Sequence, residues 1–341
     1  MQRRQRPTGR RVLRRTARPE AGVQKPLSRR TVVVITAAFL AVITISIFIG
    51  LYFGVWKNLW LPVITVNDEA INMDYLLRRM KYVDMTEDVL TMLYEVIPDE
   101  MLIRQGAPRY GIEVTPDDID EVLRDAAKGD NETVSETEFK LWYQNELNNT
   151  KLSDAEYREL ICTKILEYRL HEYLIDRIPT AAEQIHLFII ILPSYEEAEA
   201  TITRIQEGED FSELANELSI DTKTGEQGGD AGWWPEGGGL DTNLERVAFS
   251  LEVGKINDIP IGIHGETTSV YATCMVTERQ PLRDIEEDKL YMLQSEALQE
   301  WLYTEKLNST IFFSGMDWNE HEQRYAFGSE TLAWINLQLA K

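Results

Sequence analysis

Between Thr31 and Trp56 the chain runs for 26 residues without a charged side chain. A surface helix cannot carry such a run, because one of its faces has to meet water. The centre, Val32 to Phe53, is almost wholly apolar. At a rise of ~1.5 Å per residue, a helix of this length crosses a hydrocarbon core about 30 Å thick. Signal peptides have a shorter apolar core and end in small residues, and no Ala-x-Ala-like site follows this run. Trp56 and Trp60 stand where aromatic side chains line a membrane interface. A transmembrane helix over 31–56 is expected. A buried core helix is the alternative, and the segment before it argues against that.

Residues 1–30 contain ten arginines, one lysine and one glutamate, so this arm carries about +10 of a total of -22 and the remainder about -32. Arginines beside an apolar span stay on the cytoplasmic side, which makes a single-pass protein with a cytoplasmic N-terminus and extracytoplasmic main domains. Arg10-Arg11 and Arg14-Arg15 would attract phosphates, but no aromatic residues are interleaved with them. The expected partner of the arm is therefore the lipid bilayer and not nucleic acid. The acidic remainder favours basic polypeptide partners.

From Leu61 the pattern changes. Val63 to Val66 is a short extended segment closed by a turn at Asn67-Asp68. Helices are expected at about 73–83 and 87–97, the second capped by Thr86 and ended by Pro98. Thr115, Ser135 and Ser153 each stand three residues before an acid, namely Asp118, Glu138 and Glu156. That spacing lets the hydroxyl and the carboxylate cap each other's backbone N–H groups. The last of these opens a long helix through Tyr157, Leu160, Ile161, Ile165 and Tyr168 that stops near Pro179.

A second regime begins near Thr180. Ile185 to Leu192 and Ser269 to Thr277 read as strands, and Tyr195 to Gln206 as a helix capped by Ser194, with Glu197 at the reciprocal position. A further helix should bury Phe211, Leu214, Ala215 and Leu218. Seven of the fifteen residues from Gly225 to Gly239 are glycine, so several turns that a side chain would obstruct are packed together there.

The order of an apolar strand holding His186, "EGEDFSELANELSIDT", "GGDAGWW", a short helix ending "ERVAF", "LEVGKI" and a closing strand resembles the parvulin (rotamase) domain of peptidyl-prolyl isomerases. With the upstream "VITVNDEAINMDYLLRRM" and "YGIEVTPDDIDEVL" segments and the anchor, the whole chain resembles membrane-attached extracytoplasmic foldases of the PrsA and SurA kind. The resemblance implies an α+β chain: an N-terminal transmembrane helix, a helical SurA-like chaperone domain, and an inserted parvulin-like domain with a small antiparallel sheet and surrounding helices. The expected division is a basic arm at 1–30, the span at 31–56, a chaperone-like domain at 57–179, the isomerase-like domain at 180–281, and a C-terminal helical segment at 282–341. Its helix at about 284–307, with Leu290, Leu293, Leu298, Trp301 and Leu302, should return to pack on residues 73–176.

In that family two histidines joined to a cysteine or aspartate lie beneath a pocket whose apolar side chains hold the substrate proline. The resemblance assigns His186 to the first histidine and Asp221 or Thr222 to the acidic position. It assigns Tyr271 to the place of the second histidine, from which its hydroxyl is expected to reach His186. Leu240 and Leu244 take the places of the methionine and phenylalanine that hold the ring. Ala231 replaces a leucine of the wall, and Phe249, which closes the "ERVAF" helix, is expected to bind substrate with them. His264 falls in the Gly262 to Gly265 turn.

Rotation about an X-Pro bond changes no covalent bond, so no cofactor is expected; it does cross a barrier of about 20 kcal/mol. What it needs is an apolar slot, groups that hold the flanking backbone, and exclusion of water from the twisted amide. Other chemistries fit poorly. Cys162 and Cys274 lack CxxC spacing, the four histidines form no HExxH, and "GEQGGDAG" lacks the lysine of a phosphate loop. Two functions stay open: an anchored isomerase acting on exported polypeptides, and a peptide-binding chaperone that keeps the fold with little or no catalysis. The aromatic-rich tail from Thr310 onward is expected mainly to complete a core, and a short helix is expected near 329–339.

Overall fold

The computed structural model describes residues 29–51, 57–82, 89–264, 269–319 and 324–340. Two compact units are present, Met1–Trp60 and Leu61–Lys341. The first contains helix α1 (Arg29–Leu51) and the single turn α2 (Lys57–Trp60). Among the described residues no helix is long and apolar enough to cross a membrane. The uncharged run extends to Trp56, and residues 52–56, like most of the basic arm, lie outside the described residues.

The second unit opens with the hairpin β1 (Pro62–Val66) and β2 (Glu69–Asn72), turning at Asn67 with φ 56°. Helix α3 (Met73–Tyr82) follows. The expected cap Thr86 lies outside the described residues. Pro98 does not end the next helix. A short α4 (Val89–Thr91) passes through a π-helical turn at Met92–Val96 into α5 (Ile97–Gly106). Pro98 sits in the first turn of α5, directly after the π turn.

Three helices, α6 (Pro116–Lys128), α7 (Glu136–Thr150) and α8 (Asp154–Ile175), begin at the expected caps, each with a complete reciprocal capping box. Leu123, Leu152, Tyr157 and Leu160 form their shared core. Glu156 has two tasks. It caps Ser153, and it receives the Arg78 guanidinium of α3 at 2.6 and 2.7 Å. Partial burial works against its ionisation, yet the bonds from Arg78 and Ser153 hold its carboxyl down at about 2.

Strand β3 (Ala181–Leu192) leads into α9 (Tyr195–Gln206), α10 (Phe211–Leu218) and the turn α11 (Thr222–Gly225). Then come β4 (Asp230–Pro235), α12 (Thr242–Ser250), β5 (Ile261–His264) and β6 (Ser269–Asp284). The order β4-β3-β6-β5 makes a four-stranded antiparallel sheet. The sequence reading found only the two central strands. It also stopped β6 at Thr277, whereas the ladder runs through Pro281 to Asp284. Ser194 caps α9 through the Glu197 N–H at 3.2 Å, without the reciprocal bond.

Helix α13 (Glu287–Asn308) returns to the helical layer as expected. Trp301 Nε1 donates to the Tyr110 hydroxyl at 3.0 Å, Lys306 pairs with Asp99 at 2.5 Å, and the His171 ring lies 3.0 Å from the Gln294 carbonyl. The Trp301 ring occupies the space beside Gly106, where a Cβ would come within 2.5 Å of it. Strand β7 (Ile311–Phe313) then adds to β1, giving the order β2-β1-β7. A small hairpin, β8 (Asp317–Asn319) and β9 (Arg324–Ala326), and helix α14 (Ser329–Leu339) close the chain. The tail is only partly core. Phe327 is buried, but Phe312, Trp318 and Tyr325 are exposed.

Replacing Glu156 by alanine removes a capping acid and a two-pronged ion pair, so a loss of about 2 kcal/mol is expected in chemical denaturation. Because its folded pKa is depressed, the wild-type contribution is complete above the ordinary carboxylate range and disappears as pH falls toward about 2. The wild type and the Glu156→Ala variant should therefore converge in stability in acid, as followed by circular dichroism.

Candidate functional site

The pleat of β3 sends successive side chains to opposite faces of the sheet. On one face Ile185, Leu187 and Ile189 join Ala272, Cys274 and Val276 of β6, Ile261 of β5, and Leu244 and Ala248 of α12. Ala231, Trp234, Leu240 and Phe249 pack against this cluster while staying partly open. All four residues expected to hold a proline, Ala231, Leu240, Leu244 and Phe249, thus meet on one face.

Local chemistry fixes this wall. Asp241 caps α12 by accepting from the N–H groups of Asn243 and Leu244 at 2.9 and 3.2 Å, which sets the direction of Leu244. Asn243 Nδ2 donates to the Gly262 carbonyl at 3.1 Å and ties α12 to the sheet edge. The loop before it turns at Gly237 and Gly239, with φ 76° and 96°. Gly237 N–H donates to Glu245 Oε2 at 2.8 Å, latching the loop to the same helix. Burial pushes the Glu245 carboxyl up, against the pull of that bond. Gly229 is required by contact, since a Cβ there would lie 2.8 Å from the Ile189 carbonyl oxygen.

The opposite face is a different environment. Ile190 and Leu192 pack with Ala198 of α9 and with Phe211, Leu214 and Ala215 of α10, and Phe188, Tyr271 and Met275 fill in around them. His186 lies with this side. Its ring meets Phe188 edge-on at 5.3 Å and stacks on Trp233 at 5.0 Å, 9° from parallel. Its Nε2 is 2.9 Å from Asp230 Oδ1, which also accepts from the Gly232 N–H.

The expected bond between Tyr271 and His186 is not made. In the β3–β6 register Glu278 stands across from His186 and Leu192 across from Tyr271. Six residues of strand separate the two, about 20 Å. Tyr271 instead meets Tyr195 edge-on at 5.7 Å. Asp221 does not meet His186 either. Its carboxylate caps α11, accepting from Lys223 N–H at 3.1 Å and Thr224 Oγ1 at 2.7 Å, while Thr222 is exposed. The segment before it is tied to β3, Ile220 N–H donating to the Ile191 carbonyl at 2.8 Å. Gly262–His264 is strand and not turn, and Gly265 lies outside the described residues.

Sequence reasoning missed Asp230 as the partner of His186. The acid is visible in "GGDAGWW", but its proximity depends on a register shift in the β3–β4 pair between Leu187 and Phe188. It also missed that Ile189, Ala272 and Cys274 are buried in the cluster that Ala231, Leu240 and Phe249 pack on. Among these only the thiol can ionise, and burial pushes it up to about 12. The arrangement can desolvate a ring and grip it. Among the described residues no group of three metal-binding side chains occurs.

Residues 192–278 match the family described as Rotamase, the PPIC-type PPIASE domain. His186 precedes that match, whereas Asp221, Ala231, Leu240, Leu244, Phe249 and Tyr271 lie inside it. Foldase protein PrsA of Oceanobacillus iheyensis is 33% identical over 145 residues, covering 41% of this chain and 48% of that protein. PrsA of Caldanaerobacter subterraneus is 32% identical over 148 residues, covering 40% and 48%. The chain spans about half the length of these curated relatives. The crystal structure of PrsA from Bacillus anthracis is 23% identical, covering 64% of this chain and 97% of that one, with a TM-score of 0.36. The chain resembles a parvulin-type peptidyl-prolyl isomerase of the PrsA and SurA kind.

Cys162 is half-buried and Cys274 fully buried, and both are free thiols. A thiol reagent at mild alkaline pH should label Cys162 alone in the native protein and reach Cys274 only on unfolding. Rapid labelling of Cys274 in the native state would mean that the cluster around it is open to water.

Proposed function

We propose that the chain is a foldase that binds X-Pro segments of unfolded or newly exported polypeptides and speeds their cis-trans exchange by shape and desolvation. The observation that carries this reading is the convergence of Ala231, Leu240, Leu244 and Phe249 on one apolar cluster, within the residues that match the isomerase family. A planar amide resists rotation because nitrogen donates into the carbonyl; an environment without water favours the less polar, twisted form. On this reading the His186–Asp230–Trp233 cluster braces the sheet from the other face.

The anchor belongs to the same proposal. Helix α1 holds 23 residues, about 34 Å of helix, and carries exposed apolar side chains such as Phe39, Ile45 and Phe48. Followed by further uncharged sequence to Trp56, it supports a bilayer-spanning segment preceded by a basic cytoplasmic arm. The domains at 57–179, 180–281 and 282–341 would then face the extracytoplasmic space, with the first and last joined into one client-binding helical layer. The contacts of α13 with Tyr110, Asp99 and His171 support that joining.

A second reading, a peptide-binding chaperone with little catalysis, is favoured by one feature: His186 stands across from Glu278 and Tyr271 across from Leu192, so the two do not meet. One experiment separates the two. The full chain in detergent micelles should accelerate a proline-limited refolding reaction above buffer and micelle controls. Leu244→Ala should lower kcat/KM about tenfold by opening the slot, and His186→Ala should leave it within about twofold. No acceleration by the wild type, with client aggregation still suppressed, would establish the second reading.

A further inference from the structure

A second concavity, of about 910 Å³, lies between the glycine-rich loop and the first turns of α13. That volume is in the range of sites that hold ligands; of its lining only Trp234 also packs on the cluster of the Ala231–Leu240–Leu244–Phe249 slot. Trp234, Gly239 and Met292 form its apolar part, and Glu287, Asp288 and Tyr291 complete it. The backbone at Gly239 approaches Met292 so closely that a Cβ would lie 3.3 Å from its Cε, so the loop offers bare main chain to whatever enters. Met292 is 39% exposed and Tyr291 68% exposed. Methionine adapts its shape to different apolar partners, which suits a site for varied sequences.

The charge of the cleft sets the second half of its chemistry. Its one lysine, Lys289, is buried, bonded to Glu286 at 2.6 Å, laid over the Trp234 ring at 4.8 Å, and only distantly paired with the exposed Asp288, at 4.0 Å. Its cation is already engaged within the protein. Glu287 and Asp288 are both exposed, and they outweigh the positive end of α13 at that turn. The cleft therefore disfavours anions and presents two carboxylates beside an aromatic and thioether surface.

We propose that this cleft is a second client site for extended polypeptide segments in which lysine or arginine stands next to aliphatic or aromatic residues. The apolar side chain enters beside Met292 and Trp234, and the neighbouring cation faces Glu287 and Asp288. The proposal rests on the foldase reading and adds a client class to it. It requires no proline, so a segment held here leaves the isomerase slot free for a proline elsewhere in the same chain.

The test uses the full chain in zwitterionic detergent micelles and two short fluorescein-labelled, proline-free peptides of Gly, Ser and Leu, one carrying lysines and the other glutamates. At low ionic strength, fluorescence anisotropy should show the lysine peptide bound about tenfold more tightly. The double variant Glu287→Gln, Asp288→Asn should lose that preference. The distal pair Glu196→Gln, Glu199→Gln on α9 should keep it, and Met292→Ser should weaken both peptides. Equal binding of the two peptides overturns the proposal. So does a preference that survives in the Glu287 and Asp288 variant or falls equally in the distal one, since either would assign it to the overall negative field. Refolding activity without a peptide preference overturns the cleft alone; a preference without refolding activity overturns the isomerase reading alone.

Discussion

The pairing of β3 on both its edges is the constraint on which the rest depends. It pairs with β6 from Ala181 to Leu192 and with β4 from Gln184 to Phe188, so the pleat assigns its side chains to one face or the other. Slipping by a single position would send Ile185, Leu187 and Ile189 out of the slot face and bring His186 in. Several local shifts in the ladders, including one between His186 and Leu187, pin the register where the strand passes from its edge-facing start to its buried end. The two faces then take unlike chemistry: an apolar slot under α12, and on the other side helices α9 and α10 with a histidine–aspartate–tryptophan cluster at the rim.

This division determines what the slot can do. Ile189, Ala272 and Cys274 are buried in the cluster beside the slot residues, and on the proposed reading they would lower the polarity around a bound amide. The walls are held in place by ordinary backbone chemistry: Asp241 as a cap, Asn243 to the sheet edge, and Glu245 to the loop amide of Gly237. The same loop is backed from outside by α13, where a Cβ at Gly237 would come 3.1 Å from Leu293. Helix α13 continues into the helical layer through Trp301 and Lys306. The glycine-rich loop and the helical layer therefore both pack on α13.

Local rules were legible in the sequence wherever the interaction spans a few residues. The capping boxes at Thr115, Ser135 and Ser153, the limits of α9, and the short helix at Ser329–Leu339 follow from spacing alone. The convergence of Ala231, Leu240, Leu244 and Phe249 was legible through resemblance. The position of His186 was not, because a strand histidine is placed by a register fixed over nearly a hundred residues of separation, between β3 and β6. Pro98 misled for a related reason: a π turn upstream moved it into the first turn of a new helical segment. The edge strand β5 and the hairpin β8–β9 are three or four residues long and draw their stability from partners, so their own sequence carries little signal.

A slot that works by shape and dryness needs no titrating group. The pH dependence of kcat/KM for a proline peptide tests this most directly. The account predicts a flat profile from about pH 5.5 to 8.5, the interval in which an imidazole changes charge. An inflection between about pH 6 and 7 that His186→Ala abolishes would contradict it.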